Sequence, residues 1–540
     1  MRRNKLSRLA ALALGAAMLL SACGQANGPA PSGANPTATP APADGSTPPV
    51  SAEPASYKSE LNIAMTANPP SLDVHSVNSN ITGGIGAHIY EPLFAMNADY
   101  EPTPVLAESY TVSEDGMVYT IKLRQGVKFH NGQEMTADDV AASMNRWLEL
   151  SAKAKTLIGG SVFEKEDDYT VKLTVNEASS DIIMILASPI QFAAIYPKSV
   201  VDASTAEGLS EYIGTGPYKL NEWKQDQYVH LTRYEDYQPS PDASTGLAGK
   251  KQALTQDLYY RVVTDDATRI AGIQTGQYDI AEEIPLERYE ELAGMDTVEL
   301  NVQSGGTINL FLNTTQGPLA NETLRQAALA ALNCDDIMLA SYGDPNLYTL
   351  NPGWCIPSDA QWGSDAGKEY YNQNNQEKAK QLLAEAGYNN EPITLVTTPD
   401  YSEMYNATLV VQEQLRQAGF NAEVASFDFS TFMEHRADPA QFSMFITSNS
   451  YNLLPIQLSV LDAGWAGLDR QEVKDGIAAI RSAASTEEAS KAWDDLQGFL
   501  YEYGAATVLG HYNGVIALSA GVENFEYLRF PLYWNVTVPA

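Results

Sequence analysis

Short stretches of alternating apolar and polar residues recur along the chain. Glu60–Met65, Val118–Leu123 and Tyr169–Thr174 each place apolar side chains at about every second position. That is the period of a β-strand with one buried face. The sequence therefore predicts a strand in each of these ranges.

The residues after Thr136 have helical spacing instead. Apolar side chains follow at Val140, Met144, Trp147 and Leu148, and threonine is a common residue at a helix N-cap. We expect an amphipathic helix here, with its apolar stripe in the protein core.

Helical and strand patterns alternate in the C-terminal half, at Glu377–Ala386, Ile393–Thr397, Ser402–Ala418 and Ala422–Phe427. A glycine follows each helical range, as is typical of a helix C-terminus. Two strands joined through a helix predict a parallel βαβ unit and an α/β fold.

The longer of these helices, Ser402–Ala418, is expected to present Leu409, Val410 and Leu415 on its apolar side and to end at Gly419. No period of 20–50 residues recurs, so a repeat array is not expected.

Length and charge narrow the class of protein. A chain of 540 residues suggests two to four folding units. Its 67 acidic and 33 basic residues give a formal charge of −34. A surface this acidic repels phosphate backbones and anionic lipid head groups, so we expect no nucleic-acid partner.

The N-terminus has the order of a secretory signal. Basic residues precede an apolar run, Leu9–Leu20, which is shorter than the roughly 20 residues that span a bilayer. Leu20-Ser21-Ala22-Cys23 then resembles the bacterial lipobox. That resemblance implies a signal peptide at residues 1–22 and lipidation of Cys23; the alternative is a chance cysteine after an ordinary signal peptide.

Residues 23–56 are rich in Pro, Ala, Gly, Ser and Thr and are expected to form a flexible tether. At about 3 Å per residue, an extended tether of this length reaches on the order of 100 Å.

Enzyme motifs were sought and not found in the sequence. The six histidines include no pair in the helical zinc-protease arrangement, and neither a P-loop nor a Gly-x-Ser-x-Gly elbow occurs. His130 fits a turn in Phe-His-Asn-Gly better than a ligand role. We expect no catalytic residues, no metal and no cofactor, although a triad of distant residues stays open.

Several short motifs together carry a family resemblance. They are Pro70–Asp73, Ile89–Leu93, Tyr119–Gly132, Thr136–Val140, Gly214–Tyr218, Leu324–Ala328 and Glu377–Tyr388. With them, residues 57–540 resemble the extracytoplasmic solute-binding proteins of ABC importers, in the family that binds oligopeptides, dipeptides and nickel.

The resemblance implies a two-lobed, periplasmic-binding-protein-like α/β fold of type II, in the large peptide-binding subclass. Lobe 1 is expected at residues 57–305 with an inserted subdomain at about 95–200, and lobe 2 at 306–512. Residues 513–540 would return to lobe 1. The two crossings between lobes are expected at Gln303–Thr307 and Leu509–Asn513.

The resemblance also places the ligand region. Peptide-binding relatives carry an aspartate after a second-lobe strand that binds the peptide α-ammonium, and here Ser450 stands at that position. A hydroxyl cannot neutralise a buried ammonium. The ligand is thus expected to lack a free ammonium at that point, or another acidic residue must replace the aspartate.

Polar and aromatic residues at the same strand end, Thr447, Asn449 and Tyr451, are candidate ligand contacts. Tyr90, Trp354 and Trp465 are further candidates, with a core position as the alternative. His435 and Arg436 would end a solvated helix or meet a ligand carboxylate.

Cys334 and Cys355 are expected to form a disulfide, because export permits oxidation. The alternative is two buried free thiols.

The sequence therefore predicts a monomeric receptor, lipid-anchored on the extracytoplasmic face of the cell membrane. It would capture a small solute, peptide-like or related, and deliver it to the transmembrane subunits of an ABC permease. A receptor for a metal chelate of the nickel type and a secreted lipoprotein hydrolase are the alternatives.

Overall fold

The computed structural model of the protein describes residues 56–205 and 208–540. Residues 55–540 form one compact unit. The predicted signal peptide, Cys23 and nearly all of the predicted tether lie outside the described residues. In the described part, no helix is both long enough and apolar enough to cross a bilayer.

The strands of the described residues are, in chain order, β1 (Glu60–Met65), β2 (Phe94–Met96), β3 (Pro102–Pro104), β4 (Ala107–Val112), β5 (Val118–Leu123), β6 (Val162–Asp167), β7 (Thr170–Thr174), β8 (Tyr218–Lys224), β9 (Tyr228–Arg233), β10 (Asp257–Val262), β11 (Ile280–Ala281), β12 (Val298–Leu312), β13 (Tyr348–Thr349), β14 (Pro392–Thr397), β15 (Asn421–Ser426), β16 (Met444–Ser450), β17 (Ala506–Ser519), β18 (Glu526–Leu528) and β19 (Phe530–Leu532).

The α-helices of the same residues are α1 (Asn80–Ile89), α2 (Ala137–Leu150), α3 (Ala152–Ile158), α4 (Ile182–Leu186), α5 (Lys198–Asp202), α6 (Asp266–Gln274), α7 (Tyr289–Ala293), α8 (Glu322–Ala331), α9 (Cys334–Tyr342), α10 (Gln376–Glu385), α11 (Ser402–Ala418), α12 (Phe429–Ala437), α13 (Ala463–Ala466), α14 (Gln471–Ser482) and α15 (Thr486–Tyr503).

One long mixed sheet organises the fold, in the order β15-β14-β16-β12-β17-β11-β1-β10-β9-β8, with β13 beside β17. We call β11, β1, β10, β9 and β8 the first half of the sheet, and β16, β14 and β15 the second half. β12 and β17 lie between the halves and pair antiparallel along almost their whole length.

The sheet separates two apolar cores. Ile308, Leu310 and Leu312 of β12 pack into one core, and Phe311 of the same strand packs into the other. Successive side chains of a strand point to opposite faces, so the two cores lie on opposite faces of the sheet.

The predicted local elements are largely confirmed. β1 and β5 have the predicted bounds, and β7 begins one residue later than predicted. At the start of α2, Asp139 accepts a hydrogen bond from the backbone N–H of Thr136 at 2.9 Å. Val140, Met144 and Trp147 of this helix are buried, as its spacing predicts.

The βαβ unit is also confirmed. β14 and β15 pair in parallel, and α11 connects them and ends at Gly419, whose φ of 104° is left-handed. The predicted apolar side of α11 is wrong at Leu409, which is 39% exposed. Ala407, Val411 and Leu415 form the buried stripe instead, at the four-residue spacing that keeps side chains on one helical face.

A separate four-stranded antiparallel sheet, β4-β5-β7-β6, lies within residues 95–200, the range predicted for an inserted subdomain. α2 packs against β6 and β7 of this sheet.

The C-terminal segment after β17 contacts the first half of the sheet. The backbone N–H of Tyr533 donates to Nε2 of His88 at 2.9 Å, and the Thr255 hydroxyl donates to the carbonyl of Val536 at 3.0 Å. The hairpin β18–β19 is thereby held beside α1, the helix that lines the cavities described below.

Candidate ligand-binding site at the crossing of two long strands

The site is built around β12 and β17, the two strands that both halves of the sheet share. Their pairing is irregular between Ser304 and Gly306 and again between Ile308 and Asn309. A side chain on Gly306 would place its Cβ 2.0 Å from the carbonyl oxygen of Asn449. Glycine is therefore required here for close approach of β16.

We call this irregular part of the β12–β17 pairing, where the chain passes from one half of the sheet to the other, the crossing. Two adjoining cavities lie beside it. The Glu282 cavity, of about 130 Å³, is lined by α1, the end of β11, β17 and the C-terminal hairpin. The Tyr451 cavity, of about 110 Å³, is lined by residues of α1, of β2 and the loop after it, of β12, of the end of β16 and the segment after it, and of the C-terminal hairpin. The cavities share four lining residues: Asn80, Gln303, Tyr527 and Arg529.

A larger outer cleft of about 1060 Å³ adjoins the Glu282 cavity, with which it shares Glu283, Gly514 and Val515. Its walls come from both halves of the sheet, with Tyr289 from one side and Tyr342 and Tyr401 from the other. The crossing strands thus have an open cleft and two smaller cavities beside them.

Arg529 lines both smaller cavities. It is the single residue between β18 and β19, and its φ of 69° is in the left-handed region, which a non-glycine residue seldom adopts. Its Nη1 donates to the carbonyl of Tyr451 at 3.3 Å. Its Nε is buried without a hydrogen-bond partner among the described residues, and burial lowers the pKa of the guanidinium.

Glu282 contributes a carboxylate to the Glu282 cavity. It follows β11, which runs parallel to β1, so it lies at the carboxyl ends of parallel strands, where α/β proteins commonly bind ligands. The hydroxyl of Tyr533 donates to its Oε1 at 2.6 Å. Burial, which outweighs this hydrogen bond, raises the pKa of Glu282 from 4.5 to about 7.

Tyr451 lines the Tyr451 cavity, and its hydroxyl forms hydrogen bonds with residues of both β12 and β17. Its hydroxyl lies 2.5 Å from Nδ1 of His511, and the Ser304 hydroxyl donates to the tyrosine oxygen at 3.3 Å. Nε2 of His511 lies 3.2 Å from the carbonyl of Asn351. Burial lowers the pKa of His511 to about 4, so the neutral ring donates through Nε2 and accepts from Tyr451 through Nδ1.

Comparison with known proteins identifies the family. Residues 101–460 match the bacterial extracellular solute-binding proteins, family 5 (middle region). The chain belongs to this family.

Two curated relatives are similar to the chain over most of its length. The chain is 31% identical over 389 residues to the glutathione-binding protein GsiB of Salmonella typhimurium, covering 70% of this chain and 72% of the relative. It is 27% identical over 482 residues to a probable peptide ABC transporter periplasmic-binding protein, y4tO, of Sinorhizobium fredii, covering 83% and 88%. Both are binding proteins rather than enzymes.

Among solved structures, the ABC transporter substrate-binding protein CtaP of Listeria monocytogenes matches with a TM-score of 0.74 at 21% identity, over 86% of this chain and 95% of that one. This likeness confirms the predicted two-lobed α/β fold of the peptide-binding type. We therefore call the two halves of the sheet, with their helices, lobe 1 and lobe 2.

Of the three candidates at the end of β16 and directly after it, Thr447, Asn449 and Tyr451, the described lining of the two cavities includes Tyr451. Asn449 accepts a hydrogen bond from Nδ2 of Asn309 at 3.0 Å, and Thr447 is buried opposite Asn309 in the strand pairing. Ser450, at the position that the resemblance aligns with the relatives' aspartate, lines the Tyr451 cavity.

The three other aromatic candidates lie apart from the crossing cavities. Tyr90 is fully buried against Tyr196, with ring centroids 5.0 Å apart. Trp354 is 2% exposed and packs on Tyr501. These two occupy the core positions that were the alternative to a binding role.

Trp465 is partly buried, and its ring lies 3.9 Å from the guanidinium carbon of Arg436. This cation–π contact engages the arginine that the sequence offered as a partner for a ligand carboxylate. His435 stacks on Phe427, with ring centroids 4.0 Å apart.

The predicted disulfide between Cys334 and Cys355 is not formed in the structure, so this prediction is wrong. Cys334 and Cys355 are both free and buried. Cys334 belongs to the core that contains Ile308, whereas Cys355 belongs to the core that contains Phe311. The two thiols therefore belong to different apolar cores, and burial raises the pKa of Cys334 to about 12.

Arg529 and Glu282 were missed in the sequence, although each carries a signal. Arg529 is the one charged residue in the otherwise apolar and aromatic run Tyr527–Leu532. Glu282 directly follows the short apolar strand β11. Neither signal reveals that the two residues line one cavity, because the distance between them along the chain spans almost half of the sequence.

Proposed function

We propose that this solute-binding protein is a lipid-anchored receptor that captures a small peptide-like solute between its lobes and delivers it to the transmembrane subunits of an ABC permease. The observation that carries the proposal is the Tyr451 cavity, whose lining includes Tyr100 of lobe 1, Gly305 of β12 and Tyr451 of lobe 2. A ligand that contacts both lobes favours the closed arrangement, which the permease would recognise.

The size of the cavities and the names of the relatives support a short peptide-like ligand. The Glu282 and Tyr451 cavities are about 130 and 110 Å³, small beside the roughly 300–1,000 Å³ of pockets for drug-sized ligands. Glutathione, the ligand named for GsiB, and dipeptides are larger than either cavity alone and would extend across the two adjoining cavities, which share four lining residues. The metal-chelate alternative has less support, because neither cavity has a histidine or cysteine in its described lining.

The receptor function is tested by retention of a solute without turnover. The purified mature chain is dialysed against a pool of free dipeptides together with glutathione, and bound and free compounds are identified by mass spectrometry. We expect about one retained molecule per chain and no hydrolysis products. Hydrolysis of any pool member would favour the hydrolase alternative, and retention of nothing would overturn the proposal.

The anchor is tested separately. Cys23→Ser is expected to move the protein from the membrane fraction to the soluble fraction and to remove the diacylglycerol mass from the N-terminal peptide. Cys355→Ser, which changes a buried thiol of the folded part, is the matched control and should stay with the membrane. A wild-type protein without the lipid mass would contradict the anchor.

A further inference from the structure

Arg529 lies in a positively charged part of the site. Its ionisable neighbours include Tyr512 and Tyr527, and no carboxylate of the described residues forms an ion pair with it within 4.0 Å. Lys153, which donates to the Ser188 hydroxyl at 3.2 Å, is close enough for the charge of Arg529 to contribute to lowering its pKa to about 8, although burial is the larger cause.

The start of α1 adds to this positive potential. Asn80 is the first residue of the ten-residue helix and lines both cavities. The N-terminal end of a helix carries a partial positive charge and favours anions. Arg529, Lys153 and the start of α1 thus all favour an anionic group beside Arg529.

Glu282 supplies the opposite charge in the same space. It lines the Glu282 cavity together with Arg529, yet no ion pair within 4.0 Å joins it to Arg529 or to any other cation of the described residues. Arg269 is the basic residue whose charge lowers the pKa of Glu282, and it already forms an ion pair with Asp266. The cavity therefore holds a guanidinium and a carboxylate that do not neutralise each other.

From this arrangement we infer that the ligand is dipolar, with its carboxylate bound by Arg529 and its ammonium bound by Glu282. The inference rests on the proposed receptor function and names the class of its ligand, which is a short peptide or amino-acid derivative with both charged groups free. Isolated buried charges are unfavourable, and a ligand that pairs both of them stabilises the complex.

The same arrangement accounts for Ser450. This residue lines the Tyr451 cavity beside Arg529, so an aspartate there would place a carboxylate close to the group that we assign to the ligand carboxylate. The acidic partner of the ligand ammonium is instead Glu282, in the adjoining cavity. The binding polarity would thus be reversed relative to the peptide-binding relatives described above.

Blocking one charge of the ligand at a time tests the inference. The mature chain is titrated with three dipeptide pools: free dipeptides, N-acetylated dipeptides and dipeptide C-terminal amides. For the wild type we expect each blocked pool to bind at least about tenfold more weakly than the free pool, since one charged partner is lost in each.

The variants assign each effect to a residue. Arg529→Gln should weaken binding of the free pool and remove the penalty of amidation, while the penalty of acetylation remains. Glu282→Gln should do the reverse. Arg470→Gln and Glu434→Gln change exposed residues away from the cavities and should bind all three pools like the wild type.

The outcomes separate the inference from the receptor function. Equal binding of free and blocked pools by the wild type would overturn the dipolar ligand and leave the receptor function standing. Penalties that persist unchanged in Arg529→Gln and Glu282→Gln would overturn the assignment of the residues. Failure of every pool to bind would overturn both the inference and the peptide-type receptor.

Discussion

The hydroxyl of Tyr451, in the segment after β16, lies 2.5 Å from Nδ1 of His511 on β17. This bond joins the strand end of lobe 2 to a strand shared by both lobes, and it is buried at the edge of the Tyr451 cavity. This hydrogen bond between two neutral side chains therefore helps to fix the cavity wall, together with the bonds that Tyr451 accepts from Ser304 and Arg529.

Tyr451→Phe should lower the free energy of unfolding by about 1–2 kcal/mol, because Nδ1 of His511 would be buried without its donor. Urea unfolding of ligand-free protein measures this. Tyr110→Phe, at a position 42% exposed, is the control and should change the stability little. Equal stability of Tyr451→Phe and the wild type would show that the bond contributes nothing net.

Glu282 should make the stability fall as the pH rises. Its folded pKa of about 7 lies above its usual value of 4.5, so the folded protein holds a proton that the unfolded chain has lost. Stability from this group is complete below about pH 4.5 and is lost as the pH rises towards 7. The titratable and charged groups around it are Tyr260, Arg269, Glu283, Tyr527, Arg529 and Tyr533.

Glu282→Gln cannot titrate, so its stability relative to the wild type should improve by roughly 2–3 kcal/mol between pH 4 and pH 8. The difference between the two proteins removes the contributions of other groups such as His511. Unfolding at several pH values measures it, with the exposed Glu434→Gln as a control. A constant difference across this range would mean that folding does not change the pKa of Glu282.

Arg529→Gly is expected to weaken ligand binding without lowering the stability of the ligand-free protein. Glycine adopts the φ of 69° at this position without steric cost, so ligand-free stability should be unchanged or up to about 1 kcal/mol higher. Binding of free dipeptides should be weakened as in Arg529→Gln. Asn524→Gly, which relieves another positive φ of 59° away from the cavities, should leave binding intact. A loss of stability in Arg529→Gly would contradict the view that this residue is retained for binding.

Both folded-domain cysteines should be found as thiols. Alkylation in denaturant without reductant should label Cys334 and Cys355, and addition of reductant should leave the melting temperature unchanged. The reason is that the two thiols are buried in different apolar cores. A peptide that contains both residues joined and unlabelled would restore the disulfide prediction.

Much of the fold could be predicted from local patterns. The bounds of β1, β5 and α11 follow from periodicity and from end signals such as Gly419, because these depend on residues close together in the sequence. Leu409 was assigned to the wrong face of α11, since neighbouring apolar residues leave the rotation of the helix undetermined until its packing partners are known.

The candidate site was less predictable. Tyr451 and Ser450 could be placed through the resemblance to a family, whereas Arg529 and Glu282 are brought together only by the pairing of β11 with β1 and β17 and by the return of the C-terminal hairpin. Tyr90 and Trp354 were candidates because of their residue type, and tertiary packing places them in the core. The disulfide was predicted because the protein is expected to be exported and has two cysteines in its folded part. Neither fact shows whether the two thiols lie close together.

The central claim is that one ligand is held by both lobes at the crossing of β12 and β17. Spin labels at Glu287 and Tyr401, which line the outer cleft from lobe 1 and lobe 2, are placed in a chain with Cys23→Ser, and pulsed electron paramagnetic resonance gives the distance between them. When the free dipeptide pool is added, we expect the distance between the two labels to shift to shorter values. The shift should saturate at one bound molecule per chain. An unchanged distance distribution, under conditions where calorimetry shows one bound molecule, would contradict it.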